Sequence, residues 1–362
     1  MRFRLLPMIL GILVLVFAMA ACEGDVGPAG PAGPAGETGA PALNTCAGCH
    51  NDDSVLLAVE LQFAESLHWN SEEWTRSGLQ GSQYVACQEC HNHNGFIAAV
   101  VNGEALPQSF ENPAPINCRT CHQIHTTYTE DDYALTTTTA VALKVGGGVF
   151  DNGDGNLCAN CHQARPINPA PVIGGDPVNV SNMRYGPHYG PQANVMAASG
   201  LFHFGDGTPP ATNDHARSCS MCHMVAPAYD GGNYLAGGHL WTLSYDSTEM
   251  IAACTQCHGS AASFDYRPED GRPAVRALMA ELRTLMLESE DSENPNPIGI
   301  LRADNYAVTG TWPADLVAAF LNYKYFYHDG SEGLHNPAYA RWVLENTLAA
   351  VQAMVEPPPL QP

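Results

Sequence analysis

The 362-residue chain reads as mainly α with much irregular loop, and three observations point there. Its last quarter carries apolar residues at helical spacing. Its middle is rich in Gly, Pro, Asn and His with few long apolar runs, so side chains alone cannot fill a core there. All but one of its 13 cysteines fall into a single five-residue pattern that needs a short helical turn each time. Something other than side chains is expected to fill the centre, with C-terminal helices beside it. Charge excludes one class of partner at once. Lys and Arg total 15 against 37 Asp and Glu, a formal charge of −22, which repels phosphate backbones and argues against nucleic-acid binding.

The first element, residues 1–21, has the form of a secretory leader. Arg2 and Arg4 precede an apolar run from Ile9 to Met19, and small residues lead into Cys22. The run is short for a spanning helix and has no stop-transfer flank. Ala20-Ala21-Cys22 resembles the lipobox of bacterial lipoproteins, in which the cysteine is acylated and becomes the new N-terminus. The expectation is an exported chain held to a membrane by lipid at Cys22. Ordinary cleavage, leaving a free Cys22, is the plainer alternative.

Residues 22–44 form a spacer. From Gly24 to Pro41 glycine occupies every third position, the collagen rule, because only Gly fits the axis of a triple helix. Six triplets make a short triple helix at best. An extended polyproline-like tether is the simpler reading, spanning roughly 50–60 Å at ~3.1 Å per residue.

Residues 45–270 carry the chemistry. The repeated pattern is C-x-x-C-H: Cys46, Cys49 and His50; Cys87, Cys90 and His91; Cys118, Cys121 and His122; Cys158, Cys161 and His162; Cys219, Cys222 and His223; Cys254, Cys257 and His258. This is the attachment signature of c-type haem. Two thiols three positions apart on a helical turn reach the two vinyl groups of one porphyrin and form thioethers, and the adjacent His points at the iron. Disulfide frameworks and zinc ribbons also use paired cysteines, but neither explains a His after the second Cys every time. Six covalent haems are expected, in an exported chain with roughly 57 residues for each, so the haems themselves form the core. The motifs recur at irregular intervals, which excludes a solenoid.

Six irons closed on both faces need six further ligands, and nine His lie outside the motifs. From His50 onward the chain resembles the multihaem cytochromes c grouped with the ammonia-forming nitrite reductases and octahaem oxidoreductases, and more closely the bis-histidine electron carriers of that group. The resemblance is carried by Ile116 to His125, by His188-Tyr189-Gly190-Pro191-Gln192, by Cys219 to Met224, by Gly237-Gly238-His239 and by Asp329 to Tyr339. It implies distal ligands at His68, His125, His188, His215, His239 and His335, with His93 in reserve and no role for His203 or His328. Two departures bear on activity. The catalytic haem of those reductases has a proximal Lys in most members, whereas every motif here ends in His. The exported chain has only Lys144 and Lys324, and nothing locates a catalytic Arg, Tyr and His cluster.

Residues 271–362 are expected to be helical and to pack on the haem region. Pro273 opens a stretch with Val275, Leu278, Met279, Leu282, Leu285 and Met286 on one face. Pro313 opens a second, through Phe320, Leu321 and Tyr323 to Tyr327, whose aromatics are expected against porphyrin and other helices. Asn336 is an N-cap with Pro337 at the first helical position of a third. Pro357-Pro358-Pro359 ends the order. Asp151 to Asn156 has oxygen ligands in a tight loop and brings calcium to mind, but lacks the distant Glu of an EF-hand, and a plain turn accounts for it.

The expected function is electron transfer, with other redox proteins or an external acceptor as partners and the bacterial outer membrane, cell surface or periplasmic face as the location. A reductase of nitrogen or sulfur oxyanions with one open iron is the alternative. A haem-bearing structural surface protein is a third. Filaments or oligomers built on a shared His are compatible with the pattern.

Overall fold

The computed structural model describes residues 50, 54–70, 82–211, 213, 218–225, 237–245, 247–259, 263–265, 267, 269–288 and 298–355. The leader, the spacer, Cys46, Cys49, His215 and the closing prolines lie outside the described residues. All that is described falls in one compact unit, Thr45–Pro362.

Helix dominates, in two sizes. Among the described residues the long helices are α1 (Ser54–Glu65), α10 (Arg272–Met286), α11 (Ala314–Asp329) and α12 (Pro337–Val355). The short ones run one to two turns: α2 (Leu67–Asn70), α3 (Gln88–His91), α4 (His93–Phe96), α5 (Cys118–Cys121), α6 (Gly155–Ala159), α7 (Gln192–Met196), α8 (Cys219–His223) and α9 (Ala252–His258). Among the described residues strand is confined to three two-stranded antiparallel ladders: β1 (Val141–Ala142) with β2 (Val149–Phe150), β3 (Val178–Val180) with β6 (Gly310–Trp312), and β4 (Ser244–Tyr245) with β5 (Thr248–Glu249).

The C-terminal helices start where local chemistry directs. Gly271 precedes α10, with Pro273 in its first turn, and Pro313 precedes α11. Asn336 Oδ1 accepts from Tyr339 N–H at 3.2 Å, and Pro337 opens α12. Together they make a side-chain core. Val275, Leu282 and Met286 of α10, Val317, Phe320, Leu321 and Tyr325 of α11, and Tyr339, Leu344 and Val351 of α12 are all fully buried. Val180, Val195 and Leu201 from the middle of the chain join them, and β3 pairs with β6.

The α11 aromatics, expected against porphyrin and other helices, meet the helices. Phe320, Tyr323, Tyr325 and Phe326 are buried among side chains of the helical core. The physical reason is that α11 is apolar on nearly every side, which suits a helix surrounded by protein. In the loop from Asp151, Asn156 is fully buried and its amide is spent locally. Asn156 Oδ1 accepts from Asn152 N–H at 2.7 Å, and Nδ2 donates to Asp151 Oδ1 and Thr138 O.

Candidate haem-binding site

Each described motif sits on its own helical turn, because C-x-x-C needs both thiols on one face, one turn apart. The turns are fixed locally. Asn117 Oδ1 accepts from Arg119 N–H at 3.0 Å while Thr120 Oγ1 accepts from Asn117 N–H at 3.0 Å, a reciprocal cap on α5. Ser218 Oγ accepts from Ser220 N–H at the start of α8. None of the described motif cysteines is in a disulfide.

Eight of these thiols, with His50, His68, His122, His125, His162, His223, His239, His258 and His335, line one cavity of about 2630 Å³. Pockets for a single small molecule run to about 300–1,000 Å³, so this one takes several. His91 and His188 pair outside it, with Cys90 on its wall.

Inside this frame the imidazoles come in pairs. Ring centroids lie 6.0 Å apart for His50 and His125, 6.1 Å for His68 and His162, 6.0 Å for His91 and His188, 6.1 Å for His122 and His239, and 6.2 Å for His223 and His335. Each pair joins a motif histidine to one from elsewhere in the chain. A metal–imidazole bond is about 2.0–2.1 Å and the ring centroid lies about 1.1 Å beyond the nitrogen, so two imidazoles across one metal stand about 6.2 Å apart. The residues therefore fit a metal between each pair. Among the described residues no group of three or more His, Cys, Asp or Glu is placed to hold a metal. Two imidazoles facing each other across this spacing would fit a metal that brings its further ligands with it, as haem iron does.

Ring orientation is set from behind. His122 Nδ1 lies 2.6 Å from Tyr133 O, and His223 Nδ1 lies 3.0 Å from Trp241 O. His162 Nδ1 lies 3.3 Å from Gln192 Oε1, and His335 Nδ1 lies 2.5 Å from Asp329 Oδ1. An Nδ1–H spent on an oxygen leaves Nε2 with a free lone pair facing the partner ring. Burial lowers the pKa of His223 and His239, and with Arg165 and His91 it takes His188 to about 4, so these rings are neutral and able to ligate at physiological pH. His335 behaves oppositely: burial lowers it, but the buried Asp329 carboxylate outweighs that and raises it. Burial, then the neighbouring Cys118, pushes the Cys121 thiol up to about 11.

The distal imidazoles need unusual backbone. His125 (φ 67°) and His188 (φ 74°) lie in the left-handed region, which costs a non-glycine residue of order 1–3 kcal/mol. Asp132 holds the first of these loops, accepting from the N–H groups of His125, Thr127 and Tyr128 and from the Thr127 hydroxyl. His239 is held from α1: its N–H donates to Gln62 Oε1 at 3.0 Å. The preceding Gly238 has φ +49°, and a Cβ there would stand 2.3 Å from the same oxygen.

Of the expected distal set, His68, His125, His188, His239 and His335 each face a motif histidine, and His215 lies outside the described residues. His93 Nδ1 bonds Thr120 Oγ1 at 3.0 Å, and His203 Nε2 bonds the Tyr339 hydroxyl at 2.8 Å. His328 packs edge-on to Tyr189 and Tyr327. Sequence reasoning missed Asp132, Trp241, Gln62 and Asp329. Only Asp329 carried a signal, standing six residues before His335 in a run already singled out.

No family model matches the chain, and no curated protein does. Among solved structures it is similar to the outer cell wall cytochrome OcwA, at 17% identity and a TM-score of 0.47, over 80% of this chain and 50% of that one. It is also similar to the undecahaem cytochrome from the S-layer of Carboxydothermus ferrireducens, at 17% identity and 0.42, over 81% of this chain and 41% of that one. The chain thus spans half or less of either.

Proposed function

We propose that this protein carries electrons through six covalently bound c-type haems, each iron held between two histidines, as a lipid-anchored protein of the bacterial surface or periplasmic face. One observation carries the reading. Five imidazole pairs at 6.0–6.2 Å each join the His of a C-x-x-C-H motif to a distant His.

When bound, haem supplies one-electron redox chemistry. The chain does the rest. The motif cysteines would tether it, and the paired imidazoles would ligate its iron, leaving no open position for a substrate. Tyr133, Gln192, Trp241 and Asp329 hold ring orientation and tune ligand basicity. The formal charge of −22 favours cationic redox proteins or metal ions as partners and disfavours anions.

The test is a pyridine-haemochrome assay with intact mass, followed by EPR and by carbon monoxide added to the reduced protein. Six covalent haems, low-spin signals only and no carbon monoxide shift are expected. A protein without covalent haem overturns the reading. A carbon monoxide-binding fraction near one haem in six overturns the pure carrier. It would favour reduction of a nitrogen or sulfur oxyanion at one open iron.

A further inference from the structure

The imidazole pairs do not follow one another in space in the order of their motifs. We propose that the His68/His162 pair is a three-way junction, at which three arms of the electron path meet. The inference rests on the haem reading above, and three separate contacts support it.

The first contact joins the fourth motif to the second. Cys90 Sγ lies 3.7 Å from Asn160 O, and Cys161 Sγ lies 4.0 Å from Glu89 O, so the two motif turns interlock. The two thiols are within hydrogen-bonding reach of each other. The edges that these sulfurs tether therefore adjoin.

The second contact uses the other thiol of the same motif. Cys158 and Cys219 are within reach of each other, and Cys219 Sγ lies 3.9 Å from Gly155 O. The approach depends on glycine, because a Cβ at Gly155 would stand 3.1 Å from that sulfur. The fourth motif thus spends one sulfur on the second site and the other on the fifth.

The third contact runs through an indole. The Trp241 ring centroid is 4.5 Å from that of His68 and 5.3 Å from that of His239, both edge-on. His68 is the distal imidazole of the fourth site and His239 that of the third. Trp241 has φ 56°, a left-handed backbone that a tryptophan adopts only at a cost. That conformation also aims its carbonyl at His223 Nδ1.

The arms continue outward. His122 and His125 are neighbours in one loop yet belong to different pairs, which ties the third site to the first. Helix α8, carrying the fifth motif, packs against α9, carrying the sixth. The resulting order is first, third, fourth, fifth, sixth, with the second branching from the fourth. Each hop moves one electron, oxidising one site and reducing the next, with no bond made or broken. The terminal donor is a redox protein and the terminal acceptor a metal ion or second redox protein.

Substituting a distal ligand by Met raises the potential of its site, which then reduces first. The added negative charge lowers the potential of sites in contact with it. In an EPR-monitored potentiometric titration, His68→Met is expected to move one component positive and three negative. His188→Met, whose site adjoins the fourth through Cys90 and the third through His93 and Thr120, is expected to move one positive and at most two negative. Equal patterns in the two variants, or a single negative component in His68→Met, would overturn the junction. Should His68→Met not assemble, the reciprocal set decides. His188→Met, His239→Met and His335→Met should each lower the His68/His162 component while His125→Met does not, and a response to only one of the three overturns the proposal. Haemochrome content, measured on every sample, separates the two levels: no covalent haem sinks the electron-carrier reading, whereas full haem with the wrong pattern sinks the junction alone.

Discussion

Asp329 offers a perturbation whose size can be worked from the structure. Its side chain is fully buried, and Oδ1 sits 2.5 Å from His335 Nδ1. The centroids of His223 and His335 are 6.2 Å apart, so the point midway between them lies about 6.7 Å from that oxygen. A unit charge at that distance, with an effective dielectric of about 20, contributes about 2.5 kcal/mol. For a one-electron couple this is about 100 mV, taking about 59 mV per 1.4 kcal/mol. Asp329→Asn keeps the shape and an acceptor for Nδ1 while removing the charge. Without it the reduced state is favoured, so one component of a spectroelectrochemical titration should rise by about 100 mV. Unchanged haem content with no component rising by more than about 30 mV, or with one falling, would refute a buried charge acting on that site.

Three other outcomes are expected. Gly238→Ala should lower the thermal midpoint and weaken the His122/His239 site. A Cβ there meets Gln62 and the backbone is left-handed, together about 1–3 kcal/mol, measurable by a melt followed at the haem Soret band. Burial pushes the Asp132 carboxyl up, but its hydrogen bonds from Thr127, His125 and Tyr128 outweigh that and hold it below the usual range. Its contribution to the His125 loop is therefore full above about pH 4 and lost as pH falls through the lowered value, so Asp132→Asn should abolish that acid step in a low-pH optical titration. Burial lowers the Lys324 ammonium to about 8, so its charge is a cost to the fold below that pH. The cost is relieved between about pH 8 and pH 10.4; wild-type stability to urea should rise over that window relative to Lys324→Met.

What could be read from the residues follows how local the physics is. C-x-x-C-H is complete within five positions, and Pro273, Pro313 and Asn336-Pro337 mark helix starts by backbone chemistry alone. The distal imidazoles were reachable only through resemblance, and their pairing was not reachable at all. His68 precedes the second motif yet faces the fourth, and His125 follows the third yet faces the first. No periodicity encodes such contacts. The β3–β6 ladder was hidden for the same reason, being three residues long and formed between distant segments. For α11, an aromatic stripe looks alike whether it meets porphyrin or protein. Trp241 was illegible because its value lies in a left-handed φ and in rings brought from elsewhere.

The five pairs also overlap along the chain: 50 with 125, 68 with 162, 91 with 188, 122 with 239 and 223 with 335. Every peptide bond between His50 and His335 lies inside at least one of these spans, including the junction of residues 270 and 271 where composition suggested a boundary. Wherever a protease cuts in that interval, at least one pair is divided between two fragments. Nor can the gene be shortened there at a module edge, because no such edge exists. Whatever its length, this is one interlaced unit and not a string of beads.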